Sequence, residues 1–301
     1  MNSLLRGLWC RLYIPEDLDA MDWRGFIGAT APFVDGWVID PPFWILPEGR
    51  AHLQPEDLES IPEVVARLPD YQPVAIRITG RDRAETFDNV HQLEQRLEKD
   101  TRFARLLWLD TPLVYHGNRG LPALYQQLGV LSHGSFVLEN DPHHVRPLKT
   151  WGRHVNLRTS VLKLLAANPR IRGLIHHGSL QRMFNYARAV VKRQDFGLMD
   201  GEERPFLEYP STTGLVSVTA NVVPRLWKNL LNRKTLSPRL QDTHGYIALM
   251  KGLLELLDVM EPDMRRTVPW ALHHLGFLHE GPSLSEDRQR RLSGFLKHAG
   301  D

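Results

Sequence analysis

The sequence predicts an α/β protein, a (β/α)8 TIM barrel with a C-terminal helical extension, and three observations carry that reading. First, residues 213–224 (TGLVSVTANVVP) hold β-branched and small residues between Gly214 and Pro224, which reads as a short buried strand bounded by breakers. Second, residues 168–179 (NPRIRGLIHHGS) and 196–203 (FGLMDGEE) are blocks of the same kind. All three turn polar at their C-terminal ends, the edge where a barrel gathers strand tops and loops into one mouth. Third, such blocks alternate with helical segments along the chain, the pattern of repeated βα units.

From the N-terminus, residues 9–14 read as the first strand, broken by Pro15, and 18–28 as the first helix. The second strand is 36–40 (GWVID), running into Pro41, Pro42, Phe43 and Trp44. A charged helix at 55–67 leads to strand three at 73–79. The helix at 84–99 places Phe87, Val90, Leu93 and Leu97 at helical spacing, giving it one face to pack on the barrel. Strand four is 105–110 and strand five 135–139, followed by a basic loop with His143, His144, Arg146 and Lys149. Helices at 160–167 and 181–192 flank strand six, within 168–179. Strand seven lies in 196–203 and strand eight at 215–220. Helices at 225–233, 243–260, 268–278 and 286–298 complete the chain. The division expected is a barrel over 1–225 and a helical extension packed on it over 226–301, with no internal repeat or low-complexity run.

Composition narrows the function. At 301 residues, 42% apolar and 24% charged, the chain can build a large core, and its net charge of +2 gives no reason to expect a nucleic-acid or membrane partner. No segment approaches the apolar length of a membrane-spanning helix. Cys10 is the sole cysteine, which fits a reducing setting, and a cytoplasmic location is expected.

The three C-terminal blocks resemble the dihydrodipicolinate synthase and N-acetylneuraminate lyase family of pyruvate-dependent aldolases. That family carries a GIKEASGD-like block, a GDD-like turn and a GxxSVTANVxP block. Here the last is nearly verbatim, and the second is Gly201, Glu202 and Glu203. The family GIK falls on Gly173, Leu174 and Ile175, so the resemblance places an isoleucine where the Schiff-base lysine is expected. Other family features change too. The Gly-Thr-Thr-Gly-Glu loop that holds the keto-acid carboxylate is replaced by the Pro41–Pro42–Phe43–Trp44 run, and proline has no amide N–H to donate. Residues 111–128 resemble the TPYY region, with Leu113 and Val114 in place of the tyrosines and Tyr115 one position later. Residues 138–142 resemble LYNVP, which puts Glu139 at the proton-relaying tyrosine and Asn140 beside it. Arg146 is the nearest match to the family arginine that holds substrate carboxylates.

Iminium chemistry needs a primary amine inside the barrel. Of the eight lysines (99, 149, 163, 192, 228, 234, 251 and 297), only Lys149 falls on a functional-face loop, so it is the candidate for a relocated amine. Strand alternation sends Ile175 and His177 one way and His176 the other, so Glu139 and His177 are expected to share one cavity. A carboxylate beside an imidazole suits enolisation, a lyase or a hydrolytic step without a covalent intermediate. The candidate catalytic residues are therefore Glu139, His177 and Lys149. Arg146, Asn140, Ile175, His176, Ser217 and Thr219 are expected to line the substrate site. Asp40, Asp110 and Asp200 read as loop-capping or solvated groups. The pairs His143–His144 and His176–His177 could, with Glu139 or Asp110, ligate a divalent metal, but they lack HxH or HxxxH spacing, so the expectation is no metal and no cofactor. Two functions stay open: a lyase or aldolase-like enzyme with a remodelled pocket for a keto acid or related small acid, and a non-catalytic small-acid-binding, structural or regulatory relative. By resemblance either would be a homodimer or homotetramer.

Overall fold

A computed structural model describes residues 5–40, 52–100, 103–148, 154–209, 212–235 and 243–299; residues 41–44 and Lys149 lie outside them. Eight parallel strands close into a barrel in chain order: β1 Gly7–Arg11, β2 Gly36–Ile39, β3 Val74–Arg77, β4 Leu106–Asp110, β5 Ser135–Asn140, β6 Ile171–His176, β7 Gly197–Asp200 and β8 Gly214–Ser217. β8 returns to β1 with Leu215 opposite Leu8, which fixes the closure.

Most strands are shorter than the sequence reading because pairing stops where the barrel rim opens; β5 is one residue longer, ending at Asn140. β1 ends at Arg11, after which a single backbone bond, Leu12 N to Val38 O at 2.9 Å, continues the ladder. Where the barrel closes, the base has no room for side chains. A Cβ on Gly214 would lie 2.1 Å from Gly7 O, and one on Gly173 would lie 2.4 Å from Gly197 O. Glycine is the residue that permits this backbone approach.

The helices between strands are α1 Trp23–Thr30, α2 Pro55–Arg67, α3 Arg83–Leu97, α4 Leu121–Leu131, α5 Pro142–Val145, α6 Thr159–Leu165, α7 Leu180–Val190 and α8 Glu203–Glu208. The single helix expected over 18–28 is two elements, a 3₁₀ turn Leu18–Ala20 and α1, divided where the Asp22 carboxylate caps α1 by accepting from Gly25 N at 3.0 Å. The sequence reading names no helix between strands four and five, but α4 stands there with Pro122 in its first turn, where a missing N–H costs nothing. Beyond the barrel lie α9 Pro224–Thr235, α10 Thr243–Met260, α11 Met264–His274 and α12 Glu286–Ala299. α11 begins and ends four residues before the 268–278 expected; its end is marked by Gly276 at φ 81°.

Two apolar cores result. The outer one fills the space between barrel and helices and continues into the C-terminal helices through Leu253, Leu257, Trp270 and Leu292. The inner one plugs the barrel itself with Trp9, Val38, Leu109, Val137, Ile175 and Met199 among its members. No helix of the described residues is long and apolar enough to cross a membrane.

Candidate active site

Side chains two residues apart on a strand point the same way, so the residue two positions past each inner-core side chain stands in the barrel mouth. Trp9 leads to Arg11, Val38 to Asp40, Ala75 to Arg77, Leu109 to Thr111, Val137 to Glu139, Ile175 to His177 and Met199 to Gly201. The apolar plug is therefore roofed by a layer of charged and polar groups.

These groups hold one another. Arg11 reaches Asp40 Oδ2 at 3.0 Å through Nη1 and Glu139 Oε1 at 2.5 Å through Nη2. Arg77 grips Asp40 with two nitrogens: Nε donates to Oδ1, and Nη2 donates to Oδ2 at 2.9 Å. Its Nη2 also donates to Glu139 Oε2, and its Nη1 to Thr111 Oγ1 at 2.5 Å. The Thr111 hydroxyl donates to Glu139 Oε2 at 2.9 Å. His177 Nε2 stands 3.0 Å from Glu139 Oε1, and its Nδ1 is 3.8 Å from Asp141 Oδ2. Gly201 makes room for the imidazole: a Cβ there would lie 2.3 Å from His177 Nε2.

The electrostatics follow from this packing. Burial works to raise the pKa of Glu139, but Arg77, Arg11 and His177 outweigh it and hold the carboxyl well below the usual range. Burial likewise works against Asp141, and the charge of His177 with the contact from His144 brings its pKa down. For His177 burial favours the neutral ring, yet Asp141 and Glu139 prevail and its pKa is raised. With His177 protonated, its charge and those of Arg11 and Arg77 balance Asp40, Glu139 and Asp141. Burial lowers His176 to about 4, so that ring is neutral near pH 7.

The structure thus brings Glu139 and His177 together over Ile175, which is fully buried in the inner core. His176 points outward. Its Nδ1 accepts from Asn140 Nδ2 at 3.2 Å, and its ring meets Tyr186 edge-on with centroids 5.2 Å apart. Asn140 spends its amide on the same outer side: Nδ2 also donates to Asn156 Oδ1 at 2.9 Å, and Oδ1 accepts from Leu157 N at 2.7 Å. Arg146 is exposed on the 3₁₀ turn Arg146–Leu148. Ser217 and Thr219 are fully buried behind the strand and bond Glu203 Oε1, Ser217 through Oγ and Thr219 through N at 2.8 Å and Oγ1 at 2.7 Å. They are not brought to the mouth.

Three expectations are corrected. Asp40 is no solvated group but 1% exposed and ion-paired to both arginines. Asp110 is fully buried on the outer side of β4, where Tyr125 Oη at 2.6 Å, Tyr115 Oη at 2.8 Å and Thr79 Oγ1 at 3.0 Å all donate to it. Tyr115, the stand-in considered for a mouth tyrosine, is engaged there instead. The residues that the sequence reading missed are Arg11, Arg77, Thr111 and Asp141. Their signal was present: an arginine in phase with the buried residues of LWCR and VAIR has to be paired inside.

Chemically, the mouth offers an imidazole whose pKa is raised, a carboxylate held ionised and two arginines. Lys163, Lys228, Lys251 and Lys297 lie on outer helices, and Lys228 pairs with Asp35 Oδ2 at 2.7 Å. Among the described residues no group of three His, Cys, Asp or Glu is arranged to hold a metal ion.

Fold and mouth together define a (β/α)8 barrel, extended by C-terminal helices and roofed by an ion-paired layer. Solved structures specify the architecture further. The fold matches dihydrodipicolinate synthase from Bacteroides thetaiotaomicron at a TM-score of 0.76 and 17% identity, covering 99% of this chain and 100% of that one. It matches the Thermotoga maritima dihydrodipicolinate synthase at 0.74 and 16%, covering 99% of each chain. It matches a prophage protein of the dihydrodipicolinic acid synthase family from E. coli K12, solved with pyruvate, at 0.72 and 17%, again covering 99% of each. No family sequence model and no curated protein matches the chain. The likeness is one of fold, over the whole chain.

Proposed function

We propose that this protein is a lyase of the aldolase fold that moves protons on a keto acid or related small acid without forming a Schiff base. His177 is the proton donor and acceptor, and Glu139 is the anion that keeps it charged and oriented. Arg146, on the 3₁₀ turn after β5, is the group proposed to meet the substrate's carboxylate. One observation carries this reading: the imidazole of His177 sits at the barrel's functional face with a raised pKa, in a layer of buried charges. Such a layer is expensive to build, and apolar side chains of similar volume would serve stability as well or better. Perturbed titratable groups in a barrel mouth are characteristic of function. The relative solved with pyruvate supports the substrate class.

The test has two arms. Wild type and His177→Gln are incubated with pyruvate and longer 2-keto acids in D2O, and exchange of the protons next to the carbonyl is followed by NMR. Exchange by wild type that falls by about 100-fold or more in the variant is expected for a general acid–base residue. Borohydride reduction with pyruvate, followed by peptide mass spectrometry, is expected to yield no lysine adduct; an adduct at Lys149 would return iminium chemistry.

A second reading is a non-catalytic binding or regulatory protein, favoured by the four donor groups already on Glu139. No exchange would favour that reading, with a thermal shift by a keto acid marking a small-acid-binding protein and the absence of any shift marking a structural or regulatory one. A homodimer or homotetramer is part of the proposal in either case and is measured by light scattering.

A further inference from the structure

The carboxylate of Asp141 divides its two oxygens between different tasks. Asp141 precedes Pro142 at the start of α5, and its Oδ1 accepts from the backbone N–H groups of His143 at 2.8 Å and His144 at 3.2 Å. That cap fixes the direction of Oδ2, which stands 2.6 Å from His144 Nδ1 and 3.8 Å from His177 Nδ1. The two imidazoles differ in access to water: the side chain of His144 is 34% exposed and that of His177 9%. His177 has little freedom to turn away, because its other nitrogen is bound to Glu139 and Gly201 backs the ring.

We infer that Asp141 is a positioning residue for His177 and couples it to His144, so that a histidine at the surface governs how firmly the mouth histidine keeps its proton. This deepens the acid–base reading above and rests on it for its meaning in catalysis. The physical basis is that one carboxylate oxygen is shared by two rings. The contact from His144 draws on Oδ2 and leaves less of it for His177; without that contact the oxygen serves His177 more fully. The other charged groups facing His177 come from separate elements: Glu139 from β5 and Arg11 from β1, with Arg77 from β3 one bond further through Glu139. Gly201 from the end of β7 brings no charge, and the adjacent His176 is neutral and turned outward. His143, on the rim, pairs instead with Glu202 Oε1 at 3.5 Å.

The experiment titrates the ring nitrogens of His177 by long-range 1H–15N correlation in the full-length protein, in wild type, Asp141→Asn and His144→Gln. Asparagine caps a helix as well as aspartate, so Asp141→Asn keeps α5 while removing the charge. The midpoint of His177 is expected to fall by about one pH unit in Asp141→Asn and to rise by a few tenths in His144→Gln, opposite signs that a helix cap alone would not produce. A His177 midpoint that moves by less than about 0.2 unit in Asp141→Asn would reduce Asp141 to a cap, and a midpoint lowered or unmoved in His144→Gln would remove the coupling. If Asp141→Asn fails to fold, the exposed His144→Gln decides alone. The readout involves no turnover, so absence of keto-acid exchange would sink the proposed activity without touching this inference.

Discussion

Replacing Arg77 with methionine tests whether the roof of the barrel is one balanced electrostatic unit. Arg77 is fully buried, and its guanidinium donates to Asp40 through Nε and Nη2, to Glu139 through Nη2 and to Thr111 through Nη1. Methionine fills comparable space but leaves Asp40 and Glu139 sharing Arg11, with His177 beside Glu139. Breaking a buried pair by removing one partner costs about 3–5 kcal/mol, mostly because the remaining charge is stranded. For a chain of 301 residues, at roughly 2 cal/mol/K of unfolding entropy per residue, that lowers Tm by about 5–8 °C. The sign of the pH dependence follows from Glu139. In the native protein its pKa lies below the usual carboxylate range, so its contribution is full above its unfolded-state pKa and is lost as pH falls through the folded value. Without Arg77 the same carboxyl takes up its proton at higher pH, which relieves the stranded charge. The Tm deficit of the variant should therefore narrow between pH 7 and pH 4, roughly the range over which a carboxyl released from its partner titrates. Differential scanning calorimetry across that range measures it. A deficit under about 1 kcal/mol, or one independent of pH, would refute the account of a charge-balanced roof.

Three further outcomes follow from neighbouring contacts. Gly201→Ala should push the imidazole of His177 off Glu139, shifting its ring resonances and lowering stability by about 2 kcal/mol; an unshifted spectrum would mean the ring has room after all. Glu203→Gln addresses a buried carboxyl whose Oε2 has no partner among the described residues and whose pKa burial raises, against the bonds from Ser217 and Thr219. Its folded state keeps the proton longer than the unfolded chain, so wild type loses stability as pH rises through the raised value; the Tm of Glu203→Gln relative to wild type should improve from acid to neutral pH, and a flat difference would count against burial as the cause. Ile175→Val should cost about 1 kcal/mol, as for any trimmed core residue, with no change in keto-acid binding by calorimetry; a changed affinity would place Ile175 in the site.

How much of this was legible depended on distance along the chain. Local features read well: the helices over 55–67 and 243–260 stand in the structure at the bounds read from sequence. Alternation also put Glu139, Ile175 and His177 on one side, because it is a property of a single strand. The roof was harder, since Arg77 on β3 finds Glu139 on β5, 62 residues away, and nothing local announces which strand tops meet across a closed barrel. Polarity alone misdirected the reading of Ser217 and Thr219: Val216 faces the interior, so Ser217 must face away, toward Glu203. Asp110 misled for the same reason, its burial being supplied by Tyr115 and Tyr125 from the loop and helix that follow β4.

The dry filling beneath the roof bears on any attempt to convert this scaffold. Placing a lysine at position 175 would thread its ammonium among Trp9, Leu109, Val137 and Met199, beneath two guanidinium groups that already oppose another cation. An engineer seeking imine chemistry would first have to hollow out neighbouring side chains and discard at least one arginine, so that reaction is several coordinated changes away and not a single substitution.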